Sequence, residues 1–466
     1  MEWGRIGIML DYYVANINDM ASCKVKSHTE SFTQNTATGT GLLFTVALLV
    51  TTLLVSHPSL ASDTTPSSKA HKSGYDNEEG FAGPGSAVYE LEKDDEEKNA
   101  LIGIKAIDDL MQPWFNFKKD LNEKHGFQLG LAYTTTYQTT NDEITGMDDT
   151  AWSGVLRVTG KWELFNRGQA NKGSLVFSVD NRANYRDTSP ADFGGNVGFI
   201  AQPGYLFSDP DTVLVDLHWQ QYLNDGKTGV VIGRYDPTDF MHVLGHKSPW
   251  TAFQNLNISL DSSIAYPDSG VGIGIGHWFD QTEAGQFYVL GGFNDANGKV
   301  TDEKMFEQGA EFFKYAEVGW SPTRDQRYTT NVHLTLWDVD ERKHDAVDSA
   351  HGFAIAANYT LERVTYFAQY GRSDVDDPAD PQIYERSINL GATMDMANSS
   401  NQAGLALNYG DMAAPGLDDQ TVIEAYYRVQ VTKNLALTPS VQHIKDPALN
   451  PSDDVTIFAM RVRLTL

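Results

Sequence analysis

From Phe127 onward, apolar and polar residues alternate with a period of two along most of this chain. That period marks strands whose two faces meet different surroundings. The final segment shows it best: Thr456, Phe458, Met460, Val462, Leu464 and Leu466 share one face, and Val455, Ile457, Ala459, Arg461, Arg463 and Thr465 the other. The same reading sets Arg157, Thr159 and Lys161 against Leu156, Val158 and Trp162. Ser178, Asp180 and Arg182 oppose Leu175, Phe177 and Val179, with Arg186 following in phase. Asp216, His218 and Gln220 oppose Leu217 and Trp219, and Asn331, His333 and Thr335 oppose Val332, Leu334 and Leu336. Near the end, Val422, Glu424, Tyr426, Arg428 and Gln430 oppose Ile423, Ala425, Tyr427 and Val429.

Clusters of Gly, Asp, Asn and Pro divide the pattern into sixteen predicted strands. They cover 127–139, 151–165, 173–185, 213–223, 227–235, 271–279, 285–293 and 314–321. The second half covers 327–337, 353–360, 363–371, 385–394, 401–409, 421–431, 435–444 and 454–466. Connectors are short after 213–223, 353–360 and 421–431, and long over 186–212, 236–270, 294–313, 338–352 and 372–384. A soluble sandwich would turn the apolar face inward, whereas a barrel in lipid turns it outward and lines a wet lumen with the polar one. Alternation alone does not choose between them.

The N-terminus bears on that choice. Gly41–Val55 is apolar but shorter than the roughly 18–20 residues of a spanning helix. Ser59 and Ala61 follow with the spacing of a signal-peptidase site, which predicts a signal peptide cleaved before Ser62. Residues 1–19 read as an upstream extension, with Met20 the plausible start. The only cysteine, Cys23, lies in this leader, so the exported chain has neither disulfides nor a thiolate metal site. Leader, even strand number and terminal strand together favour an all-β transmembrane antiparallel barrel over residues 127–466. Ahead of it, 62–99 is acidic and Ser/Gly-rich and reads as flexible, and 100–126 as a short helical segment interrupted by Pro113. The net charge of −27 argues against a nucleic-acid partner.

Several stretches resemble carbohydrate-selective porins of the OprB family. They are Val155–Phe165, Gly173–Val179, Gly233–Asp236, Gly352–Gly371, Glu424–Arg428, Leu437–Ile444 with Pro447, and Phe458–Leu464. The likeness spans about 100–466 and is most specific at the C-terminal end. It implies a sixteen-stranded outer-membrane barrel of a Gram-negative bacterium, through which monosaccharides and related small carbohydrates diffuse passively into the periplasm. It also implies loops folded into the lumen, with arginines and aromatics at the constriction. Two positions depart from the family: Arg234 stands where Lys is usual, and Leu466 where an aromatic residue usually ends the chain.

By phase, Arg157, Asp180, Arg182, Arg186, Asp216, Glu424, Arg428, Arg461 and Arg463 are candidate lumen residues, and Arg234 and Asp236 match the family's basic-and-acidic motif. Connector 236–270, carrying Trp250, Phe253 and Asn255, is the candidate inward-folding loop. Each charged residue has the alternative role of a salt bridge bracing the wall. Enzymatic constellations are missing. Gly270, Gly272, Gly274 and Gly276 lie on one strand face rather than in a dinucleotide-binding turn, no GxSxG occurs, and Pro237 and Gly245 argue against a helical metal pair at His242 and His246. Asp148–Asp149 and Asp374, Asp376 and Asp377 read as solvated turns. The expectation is a non-enzymatic channel without cofactor or metal, in contact with outer-membrane lipid and lipopolysaccharide, as a homotrimer or a monomer. A general or cation-preferring diffusion porin on the same barrel is the alternative.

Overall fold

The chain is described from a computed structural model covering residues 70–77, 80–301, 310–342, 349–375 and 384–466. The leader and its cleavage point before Ser62 lie outside the described residues. The sixteen strands begin with β1 (Phe127–Thr140), β2 (Thr150–Phe165), β3 (Gly173–Asn184), β4 (Asp211–Leu223), β5 (Thr228–Tyr235) and β6 (Gly270–Trp278). They continue through β7 (Gln286–Asp295), β8 (Phe312–Ser321), β9 (Thr330–Val339), β10 (Ala350–Leu361) and β11 (Val364–Val375). The last are β12 (Tyr384–Asp395), β13 (Gln402–Met412), β14 (Gln420–Gln430), β15 (Leu435–Lys445) and β16 (Asp454–Thr465). Every strand pairs antiparallel with its sequence neighbours, and β1 pairs with β16 to close the barrel.

Each predicted strand is present, with its boundaries shifted by at most four residues. The faces also agree with the alternation. Leu336 and Phe458 are 54% and 53% exposed on the outside, whereas Thr335 and Arg461 are fully buried inside. An apolar exterior around a polar interior reverses the arrangement of a soluble protein and suits a barrel in lipid. One bulge alters the phase: Ser178 pairs with Asp216 but Val179 with Leu214, so the extra residue lets Val213 and Asp216 both face inward.

Besides residues 189–207 of the β3–β4 connector, which pack on the inward loop through Phe207 and Trp250, two segments occupy the interior. The first is the β5–β6 connector, almost wholly buried from Pro237 to Ser269. The second precedes the barrel and corrects the reading of 62–99 as flexible. Helix α1 (Ala87–Asp95) forms there, capped by the Ser86 hydroxyl accepting from the Tyr89 N–H, and it packs on β1–β3. Composition concealed it because only Ala87, Val88 and Leu91 supply apolar anchors, while charged pairs made at a distance supply the rest.

Helix α2 (Lys105–His125) follows as one continuous element despite Pro113. Gly126, at φ 67°, ends it in a left-handed cap, its N–H returning to the Asn122 carbonyl, and the chain then enters β1 at Phe127. Connector 185–210 contributes a short helix α3 (Phe193–Val197), and the long inward loop carries the single turn α4 (Leu256–Ser259). Tight turns gather at the end where α2 lies, and the long connectors at the other.

Candidate functional site

The inward loop leaves β5 and touches nearly the whole circumference of the wall. Against β8 and β9, the His242 N–H donates to Glu317 at 2.7 Å, and the His242 ring meets His333 with facing nitrogens 3.3 Å apart. Against β11, His246 stacks on Phe367 with centroids 3.6 Å apart. On the far side, the Glu424 carboxylate accepts the backbone N–H groups of Gln254 and Asn255 at 2.9 and 3.0 Å. Side chains extend this contact: Gln254 bonds Thr136 and Ser440, and Asn255 bonds Gln442. Arg461 on β16 donates to the carbonyls of Pro249 and Ala252 at 2.7 and 2.8 Å. A backbone that crosses a lumen has no ladder partner, and these strand side chains satisfy its polar groups instead.

Trp250 lies at the centre of a charged lattice. The Arg157 guanidinium sits 4.5 Å and that of Arg463 5.7 Å from its ring, and Phe207 meets it edge-on. Arg157 clasps Asp180 in a bidentate pair at 2.6 and 2.8 Å, and Arg182 donates to the same carboxylate at 2.8 Å. Helix α1 closes the lattice from the tight-turn end: Glu90 lies 3.5 Å from Arg157, and Asp94 accepts from Arg463 at 2.7 Å.

The candidate residues therefore divide. Arg157, Asp180, Arg182, Trp250, Arg461 and Arg463 join one lattice of loop, wall and helix, while Glu424 and Arg428 clamp the loop from β14, Arg428 through the Thr251 carbonyl at 3.3 Å. Asp216 accepts from the Ser178 hydroxyl beside His218, and Asp236 caps the turn that opens the loop by accepting from the Thr238 N–H at 2.8 Å. Two residues fall elsewhere. Arg186 follows the end of β3 at Asn184 and is exposed, so the strand phase that carried it inward no longer applies. Arg234 pairs with Leu217 and Val271 and so shares their outward face, donating to the Leu214 and Lys299 carbonyls at 2.8 and 2.6 Å.

Burial also perturbs the loop's titratable groups. It pushes the Asp236 carboxyl up to about 7, assisted by the negative charges of Asp268 and Asp216, and raises Asp239 as well. Glu90 likewise rises to about 7 through burial, against the pull of Arg157 and Arg463. Burial lowers Lys247 to about 8 and His246 to about 3, leaving that imidazole neutral.

Pattern reasoning missed Glu90 and Asp94, which sit in a segment without strand phase. It also missed Phe193, Phe199 and Phe207, whose connector reads as an ordinary loop. The aromatic spacing of that connector was the available signal. Among the described residues, one group could hold a metal ion: His71, Asp76 and Glu92, with ligand atoms within 4.8 Å of one another, outside this constriction.

Residues 386–466 match the family model for the carbohydrate-selective porin, OprB family, covering the C-terminal stretch where the resemblance is most specific. The high-pH structure of Pseudomonas putida OprB is similar at 14% identity with a TM-score of 0.59, over 76% of this chain and 97% of that one. The low-pH structure of that protein aligns at 14% identity and a TM-score of 0.48, over 79% and 99%. A triple mutant of the Rhodopseudomonas blastica porin aligns at 12% identity and 0.46, over 73% and 100%. At such identities the first similarity bears on the barrel fold alone, and the other two carry no argument. No curated protein matches the sequence. The resemblance to carbohydrate-selective porins is thereby borne out over residues 386–466, and the barrel fold is shared with the first of these structures.

Proposed function

We propose that this barrel is an outer-membrane porin through which monosaccharides and related small carbohydrates diffuse passively into the periplasm. The observation that carries the reading is the loop of residues 236–269, drawn across the lumen and clamped by Glu424, Arg428 and Arg461. A lumen narrowed by a tethered loop admits small solutes and rejects larger ones, without a gate or a driving reaction. A sugar presents many hydroxyls and an apolar ring face. The lattice of Arg157, Asp180, Arg182 and Arg463 around Trp250 groups donors, acceptors and an aromatic surface in one place. Its charged members are already paired with one another, so a passing sugar competes with those pairs and its contact stays weak enough for exit.

Liposome swelling with size-matched sugars, amino acids and anions tests the proposal. Faster uptake of glucose than of amino acids of equal size supports it, and equal rates would sink it. A cation-preferring diffusion porin is the second reading, favoured by the mutual influence of Asp216, Asp236, Asp239 and Asp268 at the start of the loop. In that case the reversal potential in a salt gradient would favour cations strongly while sugars left the current unblocked.

A further inference from the structure

Helix α2 docks on the barrel with a mixed stripe and leaves its most apolar stripe uncovered. The docked stripe is Asp108, Met111, Phe115, Lys118 and Asn122: Phe115 and Lys118 are buried, and the Lys118 ammonium reaches the Leu466 carbonyl at 3.3 Å. Ile107, Leu110, Trp114, Phe117 and Leu121 recur at helical spacing on the neighbouring stripe. Leu110 is 77% and Phe117 51% exposed, and the half-buried Trp114 packs against Phe117, with ring centroids 5.7 Å apart. So large an apolar stripe on a 21-residue helix calls for a covering phase.

We propose that α2 is an interfacial helix, with this stripe resting in the phospholipid leaflet around the tight-turn end of the barrel. Three observations select lipid. First, the stripe is continuous with the barrel's outward belt. One residue, Gly126, separates α2 from β1; the His125 carbonyl accepts the Trp162 indole N–H at 3.1 Å, and Phe127 meets the Trp162 ring edge-on at 6.0 Å. The C-terminal end of the helix therefore meets the belt's aromatic rim, the depth at which Trp residues favour a membrane interface. Second, the chain carries a net charge of −27, yet α2 balances Lys105, Lys118, Lys119 and Lys124 against Asp108, Asp109, Asp120 and Glu123. Phospholipid headgroups would repel an acidic segment and tolerate this one. Third, the tight turns that α2 spans, touching Arg167 at one end and Lys433 at the other, mark the periplasmic side of a barrel, which faces a phospholipid leaflet. The inference requires the barrel to lie in a membrane, but it does not depend on which solute the channel passes.

Cys23 is the only cysteine, so single reporters are simple to place. In full-length Cys23→Ser chains reconstituted into phosphatidylethanolamine–phosphatidylglycerol vesicles, Leu110→Cys and Lys119→Cys put a polarity-sensitive fluorophore on opposite sides of α2. The Leu110 probe should emit to the blue of the Lys119 probe and be quenched at least twofold more by lipids brominated near the headgroup. Ion conductance of the same vesicles confirms an inserted barrel, separating failure of the proposal from failure to fold. Equal emission and quenching at the two sites would overturn it. So would disulfide-linked dimers formed through Leu110→Cys, which would show a second copy covering the stripe.

Discussion

The Arg461 guanidinium donates to the Pro249 carbonyl at 2.7 Å, fastening the strand that closes the barrel to the loop that narrows it. Arg461 also binds the Ala252 carbonyl, so one buried side chain satisfies two backbone acceptors that no ladder could reach. Arg461→Met keeps the bulk but removes every donor, leaving both carbonyls unpaired at about 1–3 kcal/mol each. The loop should loosen locally while the barrel persists. Planar-bilayer recordings should show a larger and noisier single-channel conductance, and swelling assays should show disaccharides entering faster relative to glucose.

Glu424 holds the same loop by accepting two backbone N–H groups, from Gln254 and Asn255. Glu424→Gln offers one oxygen in place of two, so one N–H is left facing an amide donor. A loss of about 1–3 kcal/mol follows. Because Arg461 and Glu424 clamp one loop, combining Glu424→Gln with Arg461→Met should cost less than the two single effects added together. Thermal melts of the four chains measure this, and strict additivity would show that the two clamps act independently.

Asp236 and Glu90, both near pKa 7, tie the channel's charge to pH. Each carboxyl remains protonated in the folded chain at a pH where an unfolded carboxyl is ionised. Their contribution to stability is therefore present in full below the ordinary carboxylate range and fades as pH rises through about 7. As they ionise, the lumen gains negative charge. Reversal potentials in a potassium chloride gradient should become more cation-selective from pH 5 to pH 8, and Asp236→Asn should flatten the change.

The segment before α1 is seated by Arg327 and Tyr328, which donate to the Phe81 and Ala82 carbonyls, while Phe81 stacks on Trp278 at 5.8 Å. Gly276 makes room for that ring, since a Cβ there would lie 2.6 Å from it. Gly276→Val should unseat Phe81, making residues 80–99 sensitive to protease and raising conductance. Gly103→Ala, where a Cβ meets nothing within 4 Å, should change neither.

The sequence by itself determined the barrel. A strict period of two makes each strand's faces legible without a partner, and the even strand number with unequal connectors implies closure. All sixteen strands, the inward set of Arg157, Asp180, Glu424, Arg461 and Arg463, and the buried loop bearing Trp250 were readable that way. Only the tertiary structure decided what those charges touch. Register and pairing across the lumen set that, and neither is encoded locally. Arg182 shares Asp180 with Arg157, Arg461 serves carbonyls rather than a carboxylate, and Arg234 turns outward because its partners are Leu217 and Val271. Helix α1 was hidden for the same reason: its anchors, Arg157 and Arg463, lie 67 and 369 residues away from Glu90 and Asp94, and only closure of the barrel brings them together.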